Sequence, residues 1–486
     1  MKIFFVIKSA LWFSYFESVI KTLLDRGHTV KLYFYLKHSR KYPRYALDNF
    51  LKKNRGLEVH FIEDRDELWR RPLKFLRQLV HYSFILSQSH QDEYHIDLYL
   101  NRLTKNRFLI LLFSLSVFKT IVKQKLARKL FLFFNSSIFS LNKNAVLSIQ
   151  NFQPDIVLAT PVNFTQPDEL DYLEAAKASA IKTVIPILSW DNLTIKGCLQ
   201  IIPDWLFVWN ENQMNEAIEY HNVPKQKVRI TGSPFLDKWF HLEDYLLTRE
   251  ELFNRFNFDP AKKYSVYLGN APHVGAENEK LNNQSWLPLK ISEVMLNSSD
   301  SRIKEMHLIV RPHGGNQDDF KNIKGDNITL WLRDEILPDS EDSFKMYASA
   351  LYYATCTIGL NTTAMVDSVL AGTPTITMII DEYKNSSTLT AKYFMKLLEY
   401  DIFNISNDID NCIRLIKSFM EGVNPKEKNR DRFLELFVRP RGLENEVAEV
   451  FAREIERIHS FSYKEQKNNS IILPSLKKES LTNGFY

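Results

Sequence analysis

Cys356-Thr357-Ile358-Gly359-Leu360-Asn361-Thr362-Thr363-Ala364-Met365-Val366-Asp367-Ser368-Val369-Leu370-Ala371-Gly372-Thr373-Pro374 is the stretch whose pattern decides the fold. A short apolar run ends at Gly359, and the Asn-Thr-Thr that follows supplies small polar groups suited to a helix start. Met365, Val366, Val369 and Leu370 then recur at helical spacing, and Gly372 closes the helix. Strand, turn and helix in that order form one unit of a parallel α/β sheet. Such a helix start turns free N–H groups and partial positive charge toward an anion, which suits a diphosphate. Asn361, Thr362 and Thr363 are therefore candidate donor contacts, and Asp367, one turn further in, is a candidate acceptor for ribose hydroxyls. The same spacing also fits a plain N-cap followed by a solvated helix acid.

Outward from this unit the pattern repeats. Apolar runs at 264–268, 306–310, 328–331 and 375–379 predict companion strands, and an earlier series lies at 2–8, 30–36, 57–62, 155–159, 183–188, 205–209 and 228–231. Phe16, Val19, Ile20, Leu23 and Leu24 sit at helical spacing between the first two runs, and a helix is predicted over 168–180. Strands alternating with helices imply parallel pairing through right-handed crossovers. With 486 residues, 45% of them hydrophobic, the chain exceeds what one compact core supports. The expectation is an α/β protein of two Rossmann-like, doubly wound domains: 1–235, with a helical insertion near 65–150, and 236–460, followed by a polar tail over 461–486. The three cysteines, Cys198, Cys356 and Cys412, form no Cys-x-x-Cys pair. They suggest neither a disulfide framework nor a metal site, and a reducing, cytoplasmic setting is expected. The first eight residues read as a strand rather than a signal peptide.

Three further segments carry candidate chemistry. In Leu308-Ile309-Val310-Arg311-Pro312-His313-Gly314-Gly315, Pro312 favours an extended Arg311 at a strand end, and the glycines allow a tight turn beside a ligand. Arg311 offers a fork for phosphate, and His313 a proton or hydrogen bond for a leaving diphosphate; a structural ion pair is the competing role for Arg311. Ile187-Leu188-Ser189-Trp190-Asp191-Asn192-Leu193-Thr194-Ile195-Lys196-Gly197 follows a strand directly, so it lies where open α/β sheets bind ligands. Here Trp190 is a candidate platform for a sugar ring, Asp191 a general base, and Asn192 and Lys196 acceptor contacts; an Asx-type turn with Trp190 in the core fits equally. Gly269-Asn270-Ala271-Pro272-His273-Val274-Gly275 occupies the first-turn position of the second unit, which makes Gly269 and His273 donor-site candidates. The remaining histidines have no metal-ligand spacing, and no metal is expected.

The 356–374 pattern resembles the donor-binding motif of GT-B glycosyltransferases, in which the helix start contacts the donor diphosphate and an acid, most often Glu, contacts the ribose. This chain has the shorter Asp367 there. The 308–315 segment resembles the Arg-Pro-His stretch of CDP-glycerol glycerophosphotransferases and related GT-B enzymes, and 187–234 looks like the second half of a GT-B N-terminal domain. The resemblance implies two domains facing a cleft, a nucleotide-activated sugar as co-substrate without a further cofactor, and a cell-surface glycan or glycolipid acceptor. It leaves open a CDP-linked polyol phosphotransferase, a sugar-nucleotide 2-epimerase, and a non-catalytic scaffold at a membrane surface.

Charge is distributed unevenly. Between Asp97 and Asp155 there are no acids and nine bases, Arg102, Lys105, Arg107, Lys119, Lys123, Lys125, Arg128, Lys129 and Lys143. The chain carries +5 in all, so the remainder is net acidic. Apolar runs at 108–113 and 130–134 flank these bases and are too short to span a bilayer. A basic amphipathic segment over 102–143 lying on an anionic membrane surface is expected, at the inner face of the membrane. Core helices with a solvated basic face are the alternative. No nucleic-acid module accompanies the charge, so nucleic acid is not expected as a partner.

Overall fold

The computed structural model describes residues 1–40, 43–63, 69–88, 93–164, 167–333 and 337–471, with side chains described through 460. Two fully parallel sheets organise the chain. The first contains β1 (Lys2–Ile7), β2 (Thr29–Tyr35), β3 (Glu58–Ile62), β4 (Ile156–Thr160), β5 (Lys182–Pro186), β6 (Trp205–Val208) and β7 (Val228–Ile230), in spatial order 3-2-1-4-5-6-7. The second contains β8 (Tyr264–Leu268), β9 (His307–Arg311), β10 (Ile328–Leu330), β11 (Cys356–Gly359), β12 (Thr375–Met378) and β13 (Asn404–Ser406), in order 10-9-8-11-12-13. The expected α/β class with two doubly wound units is what the structure has.

Why these runs become central strands follows from their two-sided burial. Ile3 through Ile7 are all fully buried. Ile3, Phe5 and Ile7 face one apolar layer, while Phe4 and Val6 face the other. Register is fixed accordingly, with Phe5 opposite Leu32 on one side and Leu158 on the other. The second sheet repeats the device, with Tyr267 between Val310 and Ile358. Strand order reverses between β1 and β4 and again between β8 and β11, which opens a crevice at the carboxyl ends of each pair. β13 was not anticipated: three residues, Asn-Ile-Ser, are too few to show a period.

Among the described residues, the interval expected as an insertion holds six helices, Arg70–Ser87, Glu93–Leu103, Arg107–Ser114, Ser116–Val122, Lys125–Ile138 and Lys143–Phe152. The first of these docks on the domain through a buried guanidinium: Arg77 bonds Asp171 at 2.6 Å and the Pro167 carbonyl at 3.3 Å.

The boundary expected at 460 is corrected. The last helix, Val447–Ile471, returns to the first domain, where Phe451, Ala452, Ile455 and Ile458 join the core beneath β1 and β2. Arg26 pairs with Glu456 at 2.7 Å and with Glu449. The chain therefore crosses between domains twice, side by side. At the crossing Asp237 accepts from Arg439 Nε at 2.7 Å and from the Val447 N–H at 2.8 Å. Gly232 (φ +94°) passes so close that a Cβ there would lie 2.6 Å from the Val438 carbonyl oxygen. The helix covers the start of the expected tail, and 472–486 lie outside the described residues.

Candidate functional site at the crevice of the second domain

The β8–β11 reversal is held by two asparagines. Asn270 Nδ2 donates to the Asn361 carbonyl at 2.6 Å, and the Asn361 N–H donates back to Asn270 Oδ1 at 3.3 Å. Sequence reasoning passed over Asn270; its position one residue past the first-turn glycine was the signal. The Thr363–Leu370 helix starts directly beyond this clamp. Thr362, its N-cap residue, makes no side-chain cap hydrogen bond, contrary to a plain capping role, so no hydroxyl of its own covers the N–H groups of the first turn.

Arg311 ends β9, across β8 from this start. Its guanidinium lies 4.2 Å from the Tyr347 ring centre and 5.3 Å from that of Trp331. The next residues explain Gly269: a Cβ there would meet Pro312 Cα at 3.0 Å and the His313 nitrogen at 3.1 Å, so only glycine lets the two turns approach this closely. His313 Nδ1 accepts the Gly315 N–H at 3.0 Å, which places the ring proton on Nε2. Burial, and then the charges of Arg333 and Arg311, depress the imidazole to about 4, so it is neutral near pH 7. His273 is exposed on the rim and adopts a left-handed backbone (φ +62°). Its loop is pinned from behind: the Ser387 and Thr388 N–H groups donate to the carbonyls of Gly275 and Val274, each at 3.1 Å.

Asp367 departs from the expected ribose contact. It is buried in the helix, and Oδ2 accepts the Tyr347 hydroxyl at 2.7 Å. Burial raises its carboxyl to about 6, against the pull of that hydrogen bond and of Lys238 and Arg311. Asn361 is likewise committed, since its amide donates to the Thr388 carbonyl at 2.8 Å and to Tyr393 Oη at 3.1 Å. The side-chain partners of the two residues lie 20 to 32 positions away along the chain, beyond the reach of local spacing.

Across the cleft, the 187–197 loop meets this site, but not as expected. Trp190 is buried; its Nε1 donates to Thr363 Oγ1 at 3.2 Å and its ring packs edge-on against Tyr393 at 4.8 Å. A buried ring in contact with Thr363 and Tyr393 ties the 187–197 loop to the second domain, where a platform for a sugar was expected. Asn192 is also internal, with its amide donating to Asn163 Oδ1 at 3.3 Å and its carbonyl accepting from Asn163 Nδ2 at 2.7 Å. Lys196 pairs with Asp191 at 3.1 Å, so the expected anion contact is directed inward to the candidate base.

Tyr15, in the turn after β1, was missed. It stacks on Phe235 at 4.1 Å, and burial, then the charges of Asp191 and Asp367, raise its phenol well above the usual range. Tyr15 thus packs against the second domain through Phe235. Lys396 reaches Glu216 at 3.2 Å to close the side of the cleft. The groups with chemistry suited to an anion here are the helix start, the Arg311 guanidinium and the neutral His313 imidazole, while Asp191 on the first domain is paired with Lys196.

No family model matches the sequence, and no curated protein matches it. Solved structures do. A UDP-N-acetylglucosamine 2-epimerase superposes with a TM-score of 0.50 at 12% identity, covering 99% of each chain. A putative UDP-N-acetylglucosamine 2-epimerase from Listeria monocytogenes gives 0.50 at 11%, covering 92% of this chain and 93% of its own. The wall teichoic acid polymerase TagF gives 0.49 at 10%, covering 96% and 90%. Likeness at such identities is one of architecture. Two parallel Rossmann-like sheets facing a cleft, together with the two superpositions at 0.50, give the chain the GT-B fold.

Proposed function

We propose that the chain is a GT-B glycosyltransferase that moves a sugar from a nucleotide-activated donor onto a glycan or glycolipid acceptor, working as a peripheral protein at the cytoplasmic face of a membrane. What supports this reading is that Arg311 and His313, at and after the end of β9, and the Thr363–Leu370 helix, after β11, flank the carboxyl end of β8, with His313 neutral and Thr362 making no side-chain cap bond.

In this reading the donor diphosphate lies over the first-turn N–H groups of the helix, beside Thr362 and Thr363, with Gly269 and His273 on the loop above it. Asp191 takes the proton of an acceptor hydroxyl, whose oxygen bonds to the anomeric carbon of the sugar. The bond from that carbon to the diphosphate breaks, and the electron pair leaves with the phosphate oxygen. Arg311 and the helix N–H groups meet the developing charge, and His313 Nε2–H donates to it, so the leaving group is stabilised by fixed protein donors in the role a metal ion would otherwise take. Asp367 and Asn361 hold these groups in place from behind.

Asp191→Asn tests the assignment. Transfer from the donor to an acceptor should fall at least about a hundredfold, the usual scale of a lost general base, while nucleotide affinity stays unchanged. Unchanged transfer would remove Asp191 from the reaction. Two of the superposed structures are named as 2-epimerases, one of them putatively, which supports a second reading. That reading predicts isomerised sugar nucleotide when the chain meets UDP-N-acetylglucosamine without an acceptor.

A further inference from the structure

Among the described residues, the Arg107–Ser114, Ser116–Val122 and Lys125–Ile138 helices pack one apolar side on the protein and leave a second apolar side exposed. Ile110, Phe113, Phe131 and Leu132 turn inward onto the small core around Tyr82 and Phe84. The opposite sides form rows at helical spacing. Phe108, Leu111 and Leu115 make one; Val117 and Ile121 a second; and Leu126, Leu130 and Phe133 a third. Phe108 and Leu126 are each 70% exposed, and Val117 is 68% exposed. An exposed apolar face of this extent marks an interaction site. Among them, Lys105, Arg107, Lys123 and Lys129 are exposed and make no ion pair among the described residues.

We infer that the outer face of the Arg107–Ser114, Ser116–Val122 and Lys125–Ile138 helices is a docking face for an anionic lipid bilayer, lying in the plane of the headgroups. Charge selects this occupant. The whole interval lacks acids, so a two-fold contact between copies through this face would set bases against bases. A nucleic acid would meet the bases but leave the rows of Phe and Leu uncovered. Headgroup phosphates over acyl chains satisfy both. The helices lie on the bilayer rather than cross it: the longest of the three has 14 residues, about 21 Å at 1.5 Å per residue, and no described helix is long and apolar enough to span.

The face is also coupled to the 187–197 loop. The Arg70–Ser87 helix carries the docking helices on one side, where Tyr82 Oη donates to the Phe113 carbonyl at 3.1 Å and Ser83 Oγ to the Val122 carbonyl at 2.6 Å. On the other side Gln200 Nε2 donates to the Arg77 carbonyl at 2.9 Å, and Gly197 packs so tightly on His81 that a Cβ would lie 2.0 Å from its Nδ1. A docked bilayer is thus one helix away from the loop that bears Asp191. That bearing on the acceptor rests on the transferase reading; the lipid contact does not.

The test is co-sedimentation of the full chain with vesicles of phosphatidylcholine alone and of phosphatidylcholine mixed with phosphatidylglycerol, at low and physiological salt. The chain should bind the mixed vesicles and leave the neutral ones. Lys123→Gln with Lys129→Gln should lower partition about thirtyfold, roughly fivefold per base. Leu111→Gln with Leu126→Gln should lower it by at least about tenfold at unchanged charge. Circular dichroism melts of both variants should match the parent, since every changed side chain is exposed. Equal binding to the two vesicle types, binding to neither, or a dimer in light scattering that the leucine variant dissolves would each overturn the inference. So would tighter retention on duplex DNA than on mixed vesicles. Vesicle binding is read without nucleotide or acceptor, so a failed transfer assay with intact partition sinks only the transferase reading, and lost partition with intact nucleotide binding sinks only the docking face.

Discussion

Replacing Gly269 with alanine puts a methyl group where the structure leaves no room for one. The new Cβ would lie 3.0 Å from Pro312 Cα and 3.1 Å from the His313 nitrogen, with Phe320 Cζ at 3.4 Å. The two nearest atoms are backbone, so rotamer changes cannot relieve them, and the 312–313 turn must retreat by a few tenths of an ångström. Two bonds resist: the Gly269 N–H donates to the Arg311 carbonyl at 2.9 Å, and the Gly315 N–H holds His313 Nδ1 at 3.0 Å. Overpacking of this kind costs about 1–3 kcal/mol. The displaced imidazole should also weaken nucleotide-diphosphate binding several-fold, because a shift on this scale lengthens a hydrogen bond aimed at a fixed oxygen. Gly372→Ala is the control. A Cβ there would meet nothing within 4 Å, but φ is +83°, so the change should cost about 1–2 kcal/mol from backbone strain and leave nucleotide affinity unchanged. Urea denaturation and calorimetric titration of both variants read the two effects. If Gly269→Ala is as stable as the parent and binds nucleotide as well, the close approach of the two turns is not what shapes the site.

Trp190→Ala should destabilise the chain by about 3–5 kcal/mol, as loss of a buried tryptophan does, and denaturation measures it. A sugar-stacking role would instead leave stability intact and raise only the acceptor KM. His313 should remain neutral in an NMR titration until the pH falls to about 4. Its folded value lies below the unfolded value near 6.5, so its contribution to stability is complete above 6.5 and is lost as pH falls from there toward 4; a midpoint at 6.5 contradicts the burial of the ring. Asp237→Ala should cost about 3–5 kcal/mol by leaving Arg439 buried and uncompensated at the paired crossings, and a shift within the error of the melt would show that the crossings hold without it.

The architecture was legible because central parallel strands are apolar on both faces, and runs such as Ile3 to Ile7 or Tyr264 to Leu268 carry that signature without help from distant residues. β13 and the return of the last helix were not. The first is too short for a period, and nothing in the 447–458 pattern says which of two cores its apolar stripe joins. At the candidate site, glycine and strand-end signals singled out Gly269, Arg311 and His313 by position alone. Trp190, Asn192, Asn361 and Asp367 were found as residues but not as roles. Each has a side chain whose partner lies on another element: Thr363, Asn163, Thr388 and Tyr347. A polar residue in a loop reads as available until its neighbours are known, and only the fold supplies them.

The most direct test of the account is calorimetric titration of the purified chain with UDP, CDP, GDP and dTDP and their common sugar derivatives, repeated on Arg311→Ala after its fold has been checked by circular dichroism. The account predicts that one nucleotide class binds, that at a hundred times its dissociation constant it stabilises the fold by about 2.7 kcal/mol, and that the variant loses this binding. No binding by any nucleotide diphosphate, or equal binding by the variant, would contradict it.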